Sequence, residues 1–150
     1  MAKPDVIRDI VRNRKARHHY LILDTFEAGI ALQGSEVKSL RMGNANLQEA
    51  HVAVRADGAW LHGCHIAHYA EANQFNHNPT RVRRLLLHRH ELSKLRKSTS
   101  QKGTTIVPLR IYMKGSWVKV EIALAKGKKL HDKRHTLKAK QSKRDMGRSR

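Results

Sequence analysis

The stretch "IVPLRIYMKGSWVKVEIAL" (residues 106–124) is the strongest fold signal in the sequence. Polar and apolar residues alternate on both sides of Lys114-Gly115, which predicts a β-hairpin. Its apolar face is predicted to contain Val107, Leu109, Ile111, Met113, Val118, Val120, Ile122 and Leu124. Its other face is predicted to carry Arg110, Tyr112, Trp117, Lys119 and Glu121. A basic, aromatic face is typical of an RNA-binding sheet. A solvated face with cross-strand packing explains the pattern equally well.

The rest of the chain reads as further short strands with few helices. The predicted strands are residues 20–23, 28–32, 51–55 and 59–66, the last two joined by the turn dipeptide Asp57-Gly58. Helical segments are predicted around residues 6–11, over 34–43 and from the triple leucine at 85–87 to before Gly103, with a loop over 69–84. Together these elements predict a mainly β protein, a small antiparallel barrel with flanking short helices.

The helix predicted over residues 34–43 has signals at both of its ends. Ser35 can cap its first turn, and Glu36 lies where the helix dipole favours an acid. Gly43 can supply the left-handed residue that ends it. Lys38 and Arg41 are three residues apart and are expected on its exposed face.

Composition points to a polyanionic partner. The 150 residues carry a formal net charge of +19. So much positive charge repels itself in a compact fold, and a nucleic-acid partner best explains why the protein carries it. No stretch approaches the ~20 apolar residues of a spanning helix, so a membrane partner is not expected. One cysteine, Cys64, cannot form an intrachain disulfide and fits a cytoplasmic location.

Charge and pattern divide the chain into three predicted regions. Residues 1–17 form a basic N-terminal arm, residues 18–125 the folded domain, and residues 126–150 a basic C-terminal tail. The tail has too few apolar residues to offset the entropy of ordering, so we expect it to be disordered when free. Basic stretches at 13–17, at 81–84 and from 126 onward support nucleic-acid binding, without choosing between RNA and DNA.

Metal-binding and catalytic patterns are weak. His62, Cys64, His65 and His68 are close in sequence, but no second ligand group at zinc-site spacing follows, so no metal or other cofactor is predicted. Asp24, Glu27 and Glu36 could form a metal-dependent nuclease site. Asp24 as a strand-end acid and Glu36 as a helix-start acid need no catalysis, whereas Glu27 lacks such an explanation. We therefore expect a protein that is not an enzyme.

Four separated motifs carry a specific resemblance. "NRKARHHY" (13–20), "FEAGIALQGSEVKSLRMGNANL" (26–47), "RRLLLHRHEL" (83–92) and "VKVEIALAKGKKLHDKR" (118–134) resemble the bacterial small protein B family, the SsrA-binding proteins of trans-translation. The resemblance implies an OB-type barrel over residues 18–125. It also implies a non-enzymatic protein that binds the tRNA-like domain of transfer-messenger RNA as a monomer. The complex would enter stalled ribosomes, where the unfinished polypeptide is tagged for proteolysis.

Site residues follow from the resemblance position by position. Glu27, Leu86 and Lys119 match RNA-binding positions, although Leu86 could equally be a core leucine. Matching basic or polar motif positions, also expected to bind RNA, are Asn13, Lys15, Arg17, Lys38, Arg41, Lys126, Lys128 and Lys129. The resemblance also implies that the tail becomes helical in the small-subunit decoding centre and the empty message channel. The residues implied to contact the decoding centre are His131, Asp132, Lys133 and Arg134. The sequence departs from the family pattern after Arg134, because residues 138–150 contain few acids. The alternative function is a barrel-type ribosomal protein or translation factor that binds RNA non-specifically.

Overall fold

The computed structural model describes residues 6–127. The strands in this range are β1 (Ile7–Arg12), β2 (Tyr20–Ile30), β3 (Ala45–Asn46), β4 (His51–Arg55), β5 (Gly58–His62), β6 (His65–Ile66), β7 (Arg83–Leu86), β8 (Thr104–Lys114) and β9 (Trp117–Gly127). The helices are α1 (Ala16–His19), α2 (Gly34–Arg41) and α3 (Arg89–Thr99), with a 3-10 helix at Ala70–Phe75. The predicted mainly β class is confirmed.

One antiparallel sheet contains seven of the strands described within residues 6–127, in the order β1-β8-β4-β5-β7-β2-β9. Strand β8 also pairs with β9 at the far end of that order, so the hydrogen-bonded sequence of strands returns on itself. The long ladders are β8–β9 and β2–β9, whereas the pair Val52–Ile106 alone joins β4 to β8. The hairpin therefore anchors the sheet, as its sequence pattern suggests.

The apolar core forms two clusters on opposite sides of this hairpin. The larger contains Leu61, Ile106, Ile111, Val120 and Ile122, among others. The smaller lies beside α1 and contains Ala16, Val107, Leu109, Ala123 and Ala125. The prediction that Val107, Leu109 and Ile111 share a face is wrong, because a β-bulge between Pro108 and Arg110 shifts the alternation of β8.

The N-terminal segment adopts a strand, and the predicted helical turn over residues 6–11 is wrong. Strand β1 pairs antiparallel with β8, with Ile7 opposite Lys114 and Arg12 opposite Arg110. On its own, without packing against the rest of the fold, a segment this short does not offset the cost of nucleating a helix. The long edge of β8, which β4 covers at only one pair, offers hydrogen-bonding partners instead.

Three further boundaries differ from the sequence prediction. Residues 20–30 form one strand with a bulge between Ile22 and Asp24, rather than two strands. The strand predicted over 59–66 breaks at Gly63 (φ +73), where a Cβ atom would lie 2.4 Å from the Glu49 carbonyl oxygen. Leu85 and Leu86 belong to β7 and not to the following helix, because β7 pairs with β2 and β5.

Helix α2 matches its predicted span but has a different cap. Gln33 is the N-cap: its side chain accepts a hydrogen bond from the backbone of Glu36, and its own N–H donates to the Glu36 carboxylate at 2.7 Å. The predicted cap, Ser35, instead donates to the imidazole of buried His77. Gly43 has φ +76, as its predicted role at the helix end requires.

A buried ion-pair network joins α2 to β7. The Glu36 carboxylate and the Arg83 guanidinium are both fully buried and hydrogen-bonded to each other, and Arg81 donates to Glu36 at 2.6 Å. Arg83 also donates to the carbonyl oxygens of Cys64 and Pro79. The stretch at 81–84 is predicted to be a nucleic-acid-binding surface, but two of its three arginines, Arg81 and Arg83, bind Glu36 and stabilise the fold.

The Glu36 network should dominate stability. Burial by itself would raise the pKa of Glu36, but hydrogen bonds from Arg81, the Gln33 N–H and Arg83 lower it below the ordinary value of 4.5. Glu36→Gln leaves Arg83 buried without its counter-charge, so urea denaturation at neutral pH should show a loss of about 3–5 kcal/mol. The exposed acid Glu49 provides the control: Glu49→Gln should change stability very little.

The pH dependence of the free energy of unfolding, compared between wild type and Glu36→Gln, gives a second test of the network. A lowered folded-state pKa means that charged Glu36 stabilises the fold above the ordinary glutamate pKa. This contribution is lost as pH falls through the folded-state pKa, so the stability gap between wild type and Glu36→Gln should narrow in acid. A gap that stays constant with pH would contradict the network's role.

Candidate nucleic-acid interface

Glu27, Leu86 and Lys119 line one surface groove of about 380 Å³. They come from three different strands, which are neighbours in the sheet in the order β7-β2-β9. The other residues lining the groove are Gly29, Ile30, Leu87, His88, Trp117 and Val118. The sequence named the three residues separately, and the fold brings them into one site.

Leu86 projects into this groove and is not a core residue. Its side chain is 55% exposed, whereas the preceding Leu85 is 2% exposed, as the alternation of a strand requires. Gly29 lies opposite Leu86 in the β2–β7 pairing, and a Cβ atom there would come within 3.2 Å of the Leu86 Cβ. The absence of a side chain at Gly29 therefore leaves room for Leu86 at the mouth of the groove.

Glu27 is the acidic group of the groove; Tyr112 and Lys114 bind its carboxylate, and Glu121 lies opposite it in the β2–β9 pairing. The Tyr112 hydroxyl donates a hydrogen bond to its carboxylate, and Lys114 Nζ lies 3.2 Å from the other carboxylate oxygen. The hydrogen bond from Tyr112 is the main cause of a lowered Glu27 pKa, with Lys114 and Lys119 adding to it against the effect of burial. The carboxylate is therefore negatively charged at neutral pH while remaining partly open to solvent.

The sequence missed Tyr112 as the partner of Glu27. Tyr112 points to the predicted face of the hairpin, but it is buried rather than exposed. Burial and the hydrogen bond to Glu27 raise its pKa, so the hydroxyl remains a donor. Lys119, opposite Tyr112 in the β8–β9 pairing, is half-exposed, and Trp117 is 70% exposed. The groove thus combines a carboxylate, an ammonium group and aromatic rings, a set that can bind the bases and phosphates of RNA.

A basic pocket of about 490 Å³ lies beside α1, lined by Arg12, Asn13, Arg14, Arg17, Leu109, Arg110 and Glu121. The Asn13 side-chain amide donates to the carbonyl oxygens of Leu47 and Pro108, so it fixes the start of α1 to the sheet. Arg17 is exposed in the pocket, and Lys15 is exposed in an adjacent one. Of these three predicted residues, Asn13 thus has a clear structural role.

Asp9 organises two of the arginines in the basic pocket. Its carboxylate oxygens lie 2.5 Å from nitrogen atoms of Arg12 and Arg110, and Arg110 also packs 4.4 Å from the centre of the Tyr112 ring. The hydrogen bond from Arg110 is the largest cause of the lowered Asp9 pKa. Sequence reasoning missed Asp9, because its contact with Arg110 exists only once β1 pairs with β8.

Comparison with known proteins identifies the family. The sequence model of the SmpB protein family matches residues 10–150. The chain belongs to the SmpB protein family. It is 53% identical over 146 residues to the SsrA-binding protein of Microcystis aeruginosa (strain NIES-843 / IAM M-2473), an alignment that covers 97% of this chain and 95% of the relative. It is 55% identical over 141 residues to the SsrA-binding protein of Gloeothece citriformis (strain PCC 7424), covering 93% and 91%.

A solved structure agrees with this assignment. A chain in the structure described as "tmRNA-SmpB: a journey to the center of the bacterial ribosome" matches with a TM-score of 0.68 and 45% sequence identity. The match covers 80% of this chain and 85% of that chain. The resemblance to the small protein B family that the four motifs carry is thereby confirmed.

The other predicted RNA-binding residues of this SmpB-family chain lie away from the groove. Lys38 and Arg41 are exposed on α2, and Lys38 Nζ is 5.4 Å from the centre of the Tyr69 ring. Lys126 is exposed near the end of β9. The remaining predictions concern the tail, including its helicity, and lie outside the described residues: Lys128, Lys129, His131, Asp132, Lys133 and Arg134.

The acids considered for a nuclease site are each paired with a different cation. Asp24 pairs with Lys94 at 2.9 Å, Glu27 with Lys114, and Glu36 with the partly exposed Arg81 and the buried Arg83. His62 stacks on His51, and burial raises the pKa of Cys64 to about 11. Residues 6–127 contain no group of three or more potential metal ligands. In the same range, no helix has the length and apolarity to cross a membrane.

The Tyr112–Glu27 hydrogen bond generates a prediction for this SmpB-family site. Tyr112→Phe removes the main group that lowers the Glu27 pKa, so the pKa should rise toward its ordinary value of 4.5. NMR titration of the Glu27 side-chain carboxyl carbon measures this shift. Lys114→Gln should raise the same pKa by a smaller amount, and an unchanged value in Tyr112→Phe would show that the hydroxyl does not bond to Glu27 in solution.

Proposed function

We propose that this protein binds the tRNA-like domain of transfer-messenger RNA, the SsrA RNA, and delivers it to stalled ribosomes for trans-translation. Family membership supports the RNA partner, since the relatives are SsrA-binding proteins. The observation that carries the proposed site is the meeting of Glu27, Leu86 and Lys119 in one groove. The incomplete polypeptide on the ribosome is then tagged for proteolysis.

The sheet that holds the groove is proposed to be an OB-type barrel. Its strand order β8-β4-β5-β7-β2-β9 closes through the β8–β9 pairing, which supports a barrel. OB-type barrels commonly bind oligonucleotides on the outer face of their strands. The groove lies on the outer side of β2, β7 and β9, with Leu86 pointing away from the core.

Each groove residue has a distinct proposed contact. The charged Glu27 carboxylate accepts hydrogen bonds from base amino groups or ribose hydroxyls, and its lowered pKa supports this acceptor role. Lys119 contacts a phosphate, and Leu86 packs against an exposed base or ribose. Tyr112 acts as a positioning residue, because its hydroxyl fixes the Glu27 carboxylate.

Basic residues beyond the groove extend the proposed RNA surface. Lys15 and Arg17 contact the phosphate backbone beside α1, and Lys38, Arg41 and Lys126 add positive charge elsewhere on the domain. Asn13 contributes mainly by holding α1 in place, since its amide bonds to the carbonyl oxygens of Leu47, after β3, and Pro108, in β8. Long-range attraction from a net charge of +19 increases the rate of association with RNA.

The tail is proposed to act on the ribosome. Lys128 and Lys129 contact phosphate where the chain leaves the domain, and residues 131–134 contact the decoding centre, which lacks a codon. The rest of the tail follows the empty message channel as a helix. We propose that one copy of this cytoplasmic, non-enzymatic protein acts with each RNA.

Groove substitutions should test the site. Lys119→Ala removes one phosphate contact, so affinity for transfer-messenger RNA should fall and the slope of log affinity against log salt should decrease by about 1. Glu27→Gln should lower affinity at constant salt slope. Filter binding against an ordinary transfer RNA measures both the affinity and the preference.

Two results would count against this function. The exposed lysine Lys97 on α3 provides the control, and a loss in Lys97→Ala as large as in Lys119→Ala would show non-specific attraction only. Equal affinity of the wild type for transfer-messenger RNA and transfer RNA would favour the alternative, a ribosomal protein or translation factor without a special RNA.

The tail should be separable from RNA binding. Replacing Asp132, Lys133 and Arg134 with alanine leaves the groove intact, so affinity for transfer-messenger RNA should stay within about twofold of wild type. Tagging of a polypeptide stalled on a message without a stop codon should be lost in a reconstituted translation reaction. A large drop in RNA affinity would refute this division of roles.

A further inference from the structure

Phe75 is an exposed aromatic ring on a well-fixed loop. Its side chain is 79% exposed at the end of the 3-10 helix. The Asn76 side chain closes this loop through two hydrogen bonds with the backbone of Tyr69, at 2.8 and 2.7 Å. The adjacent His77 is buried, accepting from the Ser35 hydroxyl and donating to the Ile66 carbonyl oxygen. Phe75 is thus presented to solvent by a loop that α2 and β6 hold in place.

Phe75 lines an open depression of about 460 Å³ together with cationic and polar groups. Its other lining residues include Ser35, Lys38, Tyr69, Glu71 and Ala72. The Lys38 ammonium group sits over the Tyr69 ring, and Glu71 accepts a hydrogen bond from the Tyr69 hydroxyl at 2.8 Å. The volume lies in the range of small-ligand sites, large enough for a nucleotide. None of its lining residues belongs to the groove of Glu27, Leu86 and Lys119.

We propose that this depression is a second RNA-binding site, which stacks one unpaired base on Phe75. Lys38, and Arg41 one turn beyond it on α2, supply the positive charge that attracts the flanking phosphates. Base–aromatic stacking combined with cations is a general mode of binding single-stranded nucleic acid. The chain has a net charge of +19, which attracts a polyanion such as RNA but gives little attraction to a protein surface with few acids. The exposed ring and the positive charge together therefore favour RNA as the partner.

Glu71 makes the site selective among bases. Its side chain is exposed, and the ionised carboxylate can only accept hydrogen bonds. Adenine, guanine and cytosine each carry an exocyclic amino group that can donate to it, whereas uracil offers only its ring N3–H. The site therefore prefers an unpaired A, G or C over U, and repulsion from Glu71 keeps the phosphate on the Lys38 side of the depression.

Short labelled RNAs test the site directly. Fluorescence anisotropy with oligo(A), oligo(C) and oligo(U) of about ten nucleotides should show wild-type preference for A and C. Phe75→Ala should weaken binding of oligo(A) and oligo(C) about tenfold, within the range expected for one lost stacking contact. Phe75→Tyr should retain binding, and Glu71→Gln should reduce the preference over oligo(U). Leu21→Ala, which truncates an exposed leucine outside both sites, provides the control.

The contribution of the depression to oligonucleotide binding must be distinguished from that of the groove. The same titrations in the Lys119→Ala chain, with its groove weakened, should still show the tenfold effect of Phe75→Ala. Equal binding of oligo(A) by the Phe75→Ala and wild-type chains would overturn the proposal, as would loss of all oligonucleotide binding in Lys119→Ala alone. Failure of the groove function appears separately, as unchanged affinity of Lys119→Ala for transfer-messenger RNA.

Two RNAs could supply the base, and the Phe75→Ala chain distinguishes them. Weaker binding to the isolated tRNA-like domain would assign the base to the RNA already held in the groove. Weaker binding to protein-free ribosomal RNA would assign it to the ribosome. A loss seen only with intact ribosomes, and with neither RNA, would overturn base stacking in favour of a protein partner.

Discussion

The fully buried ion pair between Glu36 and Arg83 is the constraint on which the rest of the structure depends. It joins the first turn of α2 to the start of β7, and Arg83 also binds the carbonyl oxygens of Cys64 and Pro79. A buried charge without its partner is costly, so these segments must assemble together. Because Arg83 points inward, Leu85 points inward as well and Leu86 points outward into the groove. The network that stabilises the fold therefore also sets the phase of a strand at the proposed RNA site.

Many of the positive charges do not form a free surface. Arg81 and Arg83 form ion pairs with Glu36, Arg12 and Arg110 with Asp9, and Lys114 with Glu27. In the proposed RNA groove, the hydrogen bonds from Tyr112 and Lys114 keep the Glu27 carboxylate charged while it remains partly exposed. On the proposed function, specific recognition rests on a few fixed groups, and the remaining cations provide the general attraction for phosphate.

The two proposed RNA sites combine the same kinds of side chain in two separate parts of the fold. In each, a hydrogen-bonded scaffold holds an acid, a cation and an exposed aromatic or apolar side chain, so little side-chain entropy is lost on binding. In the groove the scaffold is the β2–β9–β8 ladder with Tyr112. In the depression it is the closed loop between Tyr69 and Asn76, fixed to α2 through His77.

The sequence by itself determined the mainly β class, the hairpin of β8 and β9, the span of α2 and the family, because alternation, turn residues and contiguous motifs are local signals. It could not show the β1–β8 pairing, the bulge at Pro108 or the cap at Gln33. Nor could it show that Arg83 is buried, that Tyr112 holds Glu27, or that Leu86 is exposed. Apart from the cap, whose partner Glu36 is three positions away, these features depend on partners more distant in the chain; Glu36 and Arg83 are 47 positions apart. Only the tertiary structure decides which residues meet, because backbone and charged groups must find partners in the interior.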